Sequence, residues 1–479
     1  MKKSMMRIVS FLVILTLILA YWNKVFKVKF GDGINDLNAF YRLEEDSVDL
    51  LVLGSSHAFE NINTGTLWDQ YGIAAYNLCG SVQPMWNTYY YLKEALKYQT
   101  PKLIILEGYC TVCSAQYSDD SRIIKNNFGL RWSKDKIASM MVSAPKERWK
   151  DFFLEYSQYH NRYKELAKED FLKNQGNNIF KDWKGFGLNL QTTPSKFTDV
   201  SGITEKKALS EKTEKYYRKT IELAKEKSIP IIVIITPYTG CSTEHQMLLN
   251  SAGDIAKEYS VPFFNYNGKQ DEMGIDSERD IADLDHLNYR GSEKFTKYLG
   301  KQIANKYQLP DRRGEDLYNS WQRSADYIRQ QICSQELAEE TDTKAYIEKT
   351  HNPNYWVFVS VDGDNPDKEV AQKYLSTLGD DTGSLKPGVW YIKDGKCVWN
   401  TNKSEKDKYI SHKIHDFHLL RTKDAEDNNI NQMIVDNETY KNVENGMNIV
   451  VYDTMSEKVV DNVGLDATNN YMIVRNTEE

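Results

Sequence analysis

The sequence predicts an α/β protein: a flavodoxin-like parallel sheet flanked by helices, carried behind an N-terminal membrane anchor and followed by an α+β, β-rich domain. Three observations carry that expectation. An uncharged apolar run occupies residues 8–22. Apolar strand-like runs then alternate with helical stretches up to about residue 307, the pattern of a parallel sheet with helical crossovers. Beyond about residue 346, short β-like segments take over, several of them separated by Asp-Gly or Asn-Gly turns.

The apolar run follows Lys2, Lys3 and Arg7 and ends at Tyr21-Trp22, an aromatic pair suited to a membrane interface. No small-x-small cleavage site follows it, and no cysteine follows that would serve as a lipoprotein anchor. The reading is an uncleaved signal anchor within residues 1–30, with the amino terminus cytoplasmic and the bulk of the chain outside. Because the run is shorter than the roughly 20 residues that span a bilayer, a cleaved signal is the alternative.

Residues 31–307 form the expected catalytic domain, with strands at 49–53, 74–78, 103–106, 231–235 and 262–266 and helices at 85–98, 204–227, 244–259 and 291–307. Pro230 and Pro237 punctuate the fourth strand. An insertion at about 114–199 is charged and aromatic-rich, carrying Trp132, Trp149, Phe152, Phe153, Tyr156, Tyr159, His160, Tyr163, Trp183 and Phe186. The helical spacing of Phe152, Tyr156, Tyr159 and Tyr163 makes one stripe, read either as a packing seam or as a lid or glycan-binding wall at the carboxyl edge of the sheet.

Chemistry concentrates at two places. The apolar run Val48-Asp49-Leu50-Leu51-Val52-Leu53 stops at Gly54-Ser55-Ser56-His57, where a parallel sheet presents a nucleophile. Far downstream, Asp283-Leu284-Asp285-His286 places a carboxylate three residues before an imidazole, a spacing at which a turn aims both at one point. Either motif alone is a common turn. Together they read as a nucleophile, a base and the carboxylate that orients the base.

These residues resemble the SGNH/GDSL hydrolase superfamily over roughly residues 48–306, and within it the membrane-anchored branch that includes the D-alanyl-lipoteichoic acid transfer protein and the alginate O-acetylation proteins. What the resemblance implies is Ser56 as nucleophile, His286 as base and Asp283 as its orienter. Gly80, after the strand-like Ala74-Ala75-Tyr76-Asn77-Leu78, matches the block whose backbone N–H joins that of Ser56 in an oxyanion hole. One block departs: Leu103-Ile104-Ile105-Leu106-Glu107-Gly108-Tyr109 stands where such proteins have Gly-x-Asn-Asp, so the oxyanion-hole asparagine is missing and Gln83 is the side chain that would replace its N–H. The implied activity is that of an extracytoplasmic O-acyltransferase on a cell-surface or exported glycan, with a carbohydrate polymer as acceptor and a multi-spanning membrane acyltransferase as partner. An esterase of the same fold and a catalytically silent glycan-binding or assembly protein stay open as alternatives, since fold does not dictate chemistry.

Residues 308–345 are expected to connect the domains through a polar helix at 315–340, and 346–479 form the accessory domain, with strands at 356–361, 389–392, 396–399, 447–452, 458–463 and 471–474 and a helix at 368–378. Trp356-Val357-Phe358-Val359-Ser360-Val361-Asp362, Gly446-Met447-Asn448-Ile449-Val450-Val451-Tyr452-Asp453, Lys458-Val459-Val460-Asp461 and Leu465-Asp466 resemble the interleukin-like EMT inducer domain, which implies a non-catalytic module with carbohydrate affinity; a plain packing domain is the alternative. His412, His415 and His418 recur every third residue but lack a completing cysteine, so they read as a solvated segment rather than a zinc site. Cys110-Thr111-Val112-Cys113 is a lone Cys-x-x-Cys, read as local structure. The net charge of −7 argues against a nucleic-acid partner, no glycine-rich phosphate loop precedes a helix, and no cofactor or metal is expected.

Overall fold

The structure, a computed structural model, describes residues 2–26, 32–112, 116–153, 160–164, 166, 171, 183–363, 367–380, 386–404, 406–423 and 429–475. The chain divides into two compact units, Met1–Asp326 and Tyr327–Glu479. It opens on helix α1 (Lys2–Phe26), whose stretch Ser4–Trp22 is long and apolar enough to cross a membrane or to act as a signal sequence. Helix α2 (Asp32–Phe40) follows.

In the first unit, β1 (Leu50–Gly54), β2 (Ala75–Cys79), β3 (Leu103–Glu107), β4 (Ile231–Ile235) and β5 (Phe263–Asn265) form a parallel sheet in the order β2-β1-β3-β4-β5. The first four strands are buried throughout because both faces are covered, as parallel sheets require. Side chains alternate between two cores. Leu51, Leu53, Ile104, Leu106, Ile231 and Val233 pack with residues of α5 (Met85–Ala95), α9 (Glu211–Glu226) and α10 (Thr243–Glu258). Leu50, Val52, Leu103, Ile105, Ile232 and Ile234 pack with residues of α3 (Ser56–Asn61), α4 (Thr64–Tyr71) and α12 (Tyr289–Lys306). The short α11 (Gln270–Met273) precedes α12. Strand order reverses between β1 and β3, so the turn leaving β1 lies at the crevice where doubly wound sheets bind ligands.

Expected and observed strands of this sheet agree to within one or two residues. Helix α9 starts at Glu211 rather than 204 because the Ser210 side chain accepts from Thr213 N, a cap that begins the helix there. The insertion contributes α6 (Asp120–Asn127), α7 (Lys134–Ser143) and α8 (Trp149–Phe153). Phe152 is buried against Ile34, Ile123, Phe128 and Met140, a packing role, whereas Tyr163 is 60% exposed. Tyr156 and Tyr159, the middle of the expected stripe, lie outside the described residues, as does Cys113 of the Cys-x-x-Cys.

The expected polar connector is a core element of both units. Helix α13 (Asn319–Ala338) buries Trp321 and Ala325 in the first unit, where Trp321 Nε1 donates to Ala75 O at 2.9 Å, and Leu337 in the second. The boundary thus falls within the helix, not at 308 or 346. Helices α14 (Thr343–Lys349) and α15 (Lys368–Leu378) follow, the second matching expectation.

The second unit contains an antiparallel six-stranded sheet in the order β15-β14-β13-β6-β7-β8, built from β6 (Tyr355–Asp362), β7 (Gly388–Lys393), β8 (Lys396–Asn400), β13 (Gly446–Asp453), β14 (Lys458–Asp466) and β15 (Met472–Val474). Val357, Val359, Ile449 and Val451 face α14 and α15. Phe358, Tyr391, Val450 and Tyr452 face a second sheet that the sequence reading missed: β9 (Lys408–His412), β10 (His415–Lys423), β11 (Asn429–Val435) and β12 (Glu438–Thr439). The three histidines are not a solvated segment. His412 and His415 close the β9–β10 hairpin as cross-strand partners; His412 bonds the Tyr452 hydroxyl, His415 pairs with Asp436, and His418 stacks on Tyr409 and meets Asp407. His412 and His415 share the inward face of Ile410 and Phe417, beside Trp356 and Tyr452, so polar residues interrupt the apolar alternation there.

Candidate active site

The turn that leaves β1 is tight. A side chain on Gly54 would place its Cβ 2.9 Å from the Cβ atoms of Ala58 and Glu107, so only glycine lets the strand pass so close to α3 and β3. The two serines that follow differ sharply: Ser55 is fully buried at the N-cap position of α3, its hydroxyl making no cap hydrogen bond, whereas Ser56, the first residue of the helix, is only half-buried.

The partner loop organises itself. Asp283 Oδ1 accepts from the backbone N–H groups of Asp285 at 2.8 Å and His286 at 3.0 Å, while Ala282 N donates to His286 O at 3.0 Å and Ile281 bridges to Leu287. This folds the carboxylate back onto its own imidazole: His286 Nδ1 lies 2.9 and 3.0 Å from the two Asp283 oxygens, and Nε2 lies 2.8 Å from Ser56 Oγ. The structure therefore brings Ser56, His286 and Asp283 into one hydrogen-bonded chain. Burial pushes the Asp283 carboxyl up, but the imidazole and the two backbone N–H groups outweigh it and hold the group below the ordinary carboxylate range. An ionised carboxylate at Nδ1 leaves Nε2 as the proton acceptor facing serine.

Residues that sequence reasoning did not single out hold this chain in place. Asn61, fully buried on α3, accepts from Leu287 N at 2.9 Å and donates to Thr236 Oγ1 at 2.9 Å, tying α3, the Asp283–His286 loop and the end of β4 together. Gly240 N donates to Leu284 O at 2.7 Å, and Asn288 Oδ1 caps α12 directly after the loop. Glu60 Oε1 lies 4.0 Å from His286 Nε2. Glu107 ends β3 fully buried; burial pushes its carboxyl up to about 8 against the N–H groups of Tyr109 and Thr236 that hold it down. Asn61, Gly240 and Glu60 carry no local sequence signal, because each acts through a contact distant in the chain, whereas the Asn288 cap is local.

Gly80 follows Cys79, which pairs in register with Gly54, so the β2 turn emerges beside the serine turn. Gln83 presents its oxygen to this turn. Its Nε2 donates to Thr88 Oγ1 at 3.0 Å, and Oε1, an acceptor, lies 3.2 Å from where a Gly80 Cβ would stand. One hydrogen of the amide is thus spent on a hydroxyl one turn into α5. Among the described residues no group of His, Cys, Asp and Glu is placed to hold a metal ion.

No family model matches this chain, and no curated protein is similar to it. The reading of the site therefore rests on its own geometry.

His57, the residue after Ser56, gives a prediction. It is fully buried, stacked on Tyr109 with ring centroids 3.5 Å apart and edge-on to Tyr238, and neither ring nitrogen has a hydrogen-bond partner. Burial, then the neighbouring His286 and His245, press its pKa well below 6.5, so the fold holds it neutral while the unfolded chain takes a proton. This contribution to stability is complete above about pH 6.5 and is lost as pH falls, at up to about 1.4 kcal/mol per unit. His57→Phe keeps the stacking and removes the titration. Urea unfolding of the first unit is expected to show the wild type losing about 1.2 kcal/mol more than the variant between pH 6 and 5; a pH-independent difference would contradict the buried neutral imidazole.

Proposed function

We propose that this protein is a serine O-acyltransferase of the SGNH type, held at the membrane by α1 with both units outside, that moves an acyl group onto a cell-surface or exported glycan. The observation that carries the reading is the unbroken chain from Asp283 through His286 to Ser56 Oγ at 2.8 Å. Ser56 Oγ attacks the acyl carbonyl as His286 Nε2 takes its proton, and Asp283 stabilises the imidazolium. The backbone N–H groups of Ser56 and Gly80 receive the oxyanion. The proton then passes to the leaving group as the tetrahedral adduct collapses to an acyl-enzyme. A sugar hydroxyl, deprotonated by His286, attacks that ester and regenerates the serine.

Water competes for the same acyl-enzyme, and only an oriented acceptor prevails against it. Anchoring favours transfer, because the anchored proteins that this chain resembles act beside a membrane-embedded acyl exporter, and a multi-spanning acyltransferase is the partner that fits. The positive flank Lys2, Lys3 and Arg7 supports the outward orientation. The direction of the chemistry is tested by substituting Ser56→Ala in the producing cell and measuring polymer-bound ester. Transfer predicts a loss of ester. A gain would mean that the protein is an esterase.

A further inference from the structure

The turn after β2 is strained, and something must hold it. Gln83 N donates to Gly80 O at 3.0 Å, closing Gly80-Ser81-Val82-Gln83, and Val82 sits at φ +48°, a left-handed conformation that a β-branched residue avoids. Such backbone persists only where its surroundings over-determine it. The surroundings here come from the insertion. Asn126, fully buried at the end of α6, donates from Nδ2 to Ser81 O at 3.0 Å and to Arg122 O at 3.0 Å. Its Oδ1 has no hydrogen-bond partner and stands 2.3 Å from where a Cβ on Gly80 would lie. The glycine is thus required by space. A buried acceptor left unpaired is costly, and it is tolerated here in a residue whose nitrogen serves the turn.

Asn126 is itself locked from behind. Asn87 Nδ2 of α5 donates to Asn126 O at 3.4 Å and to Asn127 Oδ1 at 3.1 Å, and Ser139 Oγ of α7 donates to Asn127 Oδ1 at 2.7 Å. Because both hydrogens of the Asn126 amide are committed to carbonyls, it cannot donate to an oxyanion. It acts through the turn.

We propose that Asn126 is a positioning residue for acyl transfer at Ser56, clamping the Gly80–Gln83 turn so that the Gly80 N–H stays aimed at the developing oxyanion. The inference rests on the serine-enzyme reading above. The insertion then completes the catalytic geometry, whatever else it binds.

The test uses the full chain in detergent, with 4-nitrophenyl acetate and a fluorophosphonate as probes. Asn126→Ala, and the equally sized Asn126→Asp whose carboxylate donates to neither carbonyl, are expected to lower kcat by about 10- to 100-fold with KM within about two-fold and an unchanged pH profile. Amide exchange over residues 80–83 should quicken while that over 56–61 stays as in the wild type. Adding Val82→Gly, which relieves the left-handed strain, should restore part of the kcat and protects against a folding defect in the single variants. Folded variants that turn over at the wild-type rate, or a loss confined to KM, would overturn the proposal alone. A wild-type protein inert to both probes would overturn the serine reading and this inference with it.

Discussion

Ser56→Ala is expected to abolish covalent labelling of the protein by a fluorophosphonate, while Ser55→Ala retains most of it. A serine hydroxyl attacks phosphorus at a useful rate only when a base removes its proton, and of the two serines Ser56 has one, with His286 Nε2 at 2.8 Å. Ser55 is adjacent but fully buried, with an Oγ that has no hydrogen-bond partner. Ser56 begins α3 and is half-exposed, so removing its oxygen leaves the fold intact. Equal labelling of the Ser56→Ala protein would end the nucleophile assignment and favour a silent fold that binds glycan.

Asp283→Asn is expected to slow both phosphonylation and turnover of a chromogenic ester by about 10³- to 10⁴-fold, the loss typical when the orienting carboxylate of such a triad becomes an amide. The asparagine still offers an oxygen to the N–H groups of Asp285 and His286, so the loop keeps its shape. The group then presented to His286 Nδ1 no longer carries the charge that stabilises an imidazolium, and an NH2 facing Nδ1 imposes the wrong tautomer. The substituted side chain is half-exposed, so melting temperature should barely move. A rate within ten-fold of wild type would remove the orienting role from Asp283.

What the sequence made legible was what is local. Ser56 was readable because a buried parallel strand and a small-residue turn are contiguous; Asp283 and His286 were readable because an Asp-x-x-His turn builds its own hydrogen bonds. Asn61, Glu107 and Asn126 were not, since each matters through partners far away in the chain. The Gln83 contact was hidden for the same reason: nothing short of the folded α5 shows that Thr88 takes a hydrogen of its amide. In the second unit, strands 408–439 escaped notice because the face that packs Ile410, Phe417, Leu419 and Met433 against the six-stranded sheet also carries His412 and His415, which interrupt its apolar pattern, while Ser411, Asp416 and His418 line the other face. Alternation alone separates such a strand from a loop, and turns at left-handed Lys413 and Asp436-Asn437 cut it into short pieces.

Helix α13 sets where this chain can be divided. A truncation at residue 346, the place where the sequence changes texture, would strip the carboxyl-terminal fragment of Leu337, fully buried in its core, and of Ser334, whose hydroxyl meets Tyr355 at 3.0 Å. A catalytic fragment ending at 307 would in turn lose Trp321 and open a void of indole size beside the start of β2. Neither product would report on the intact unit: aggregation or lost activity in such fragments would reflect missing core atoms. Expression boundaries, limited-proteolysis products and chimeras are best judged against the 326/327 junction, where each piece retains the half-helix that it buries.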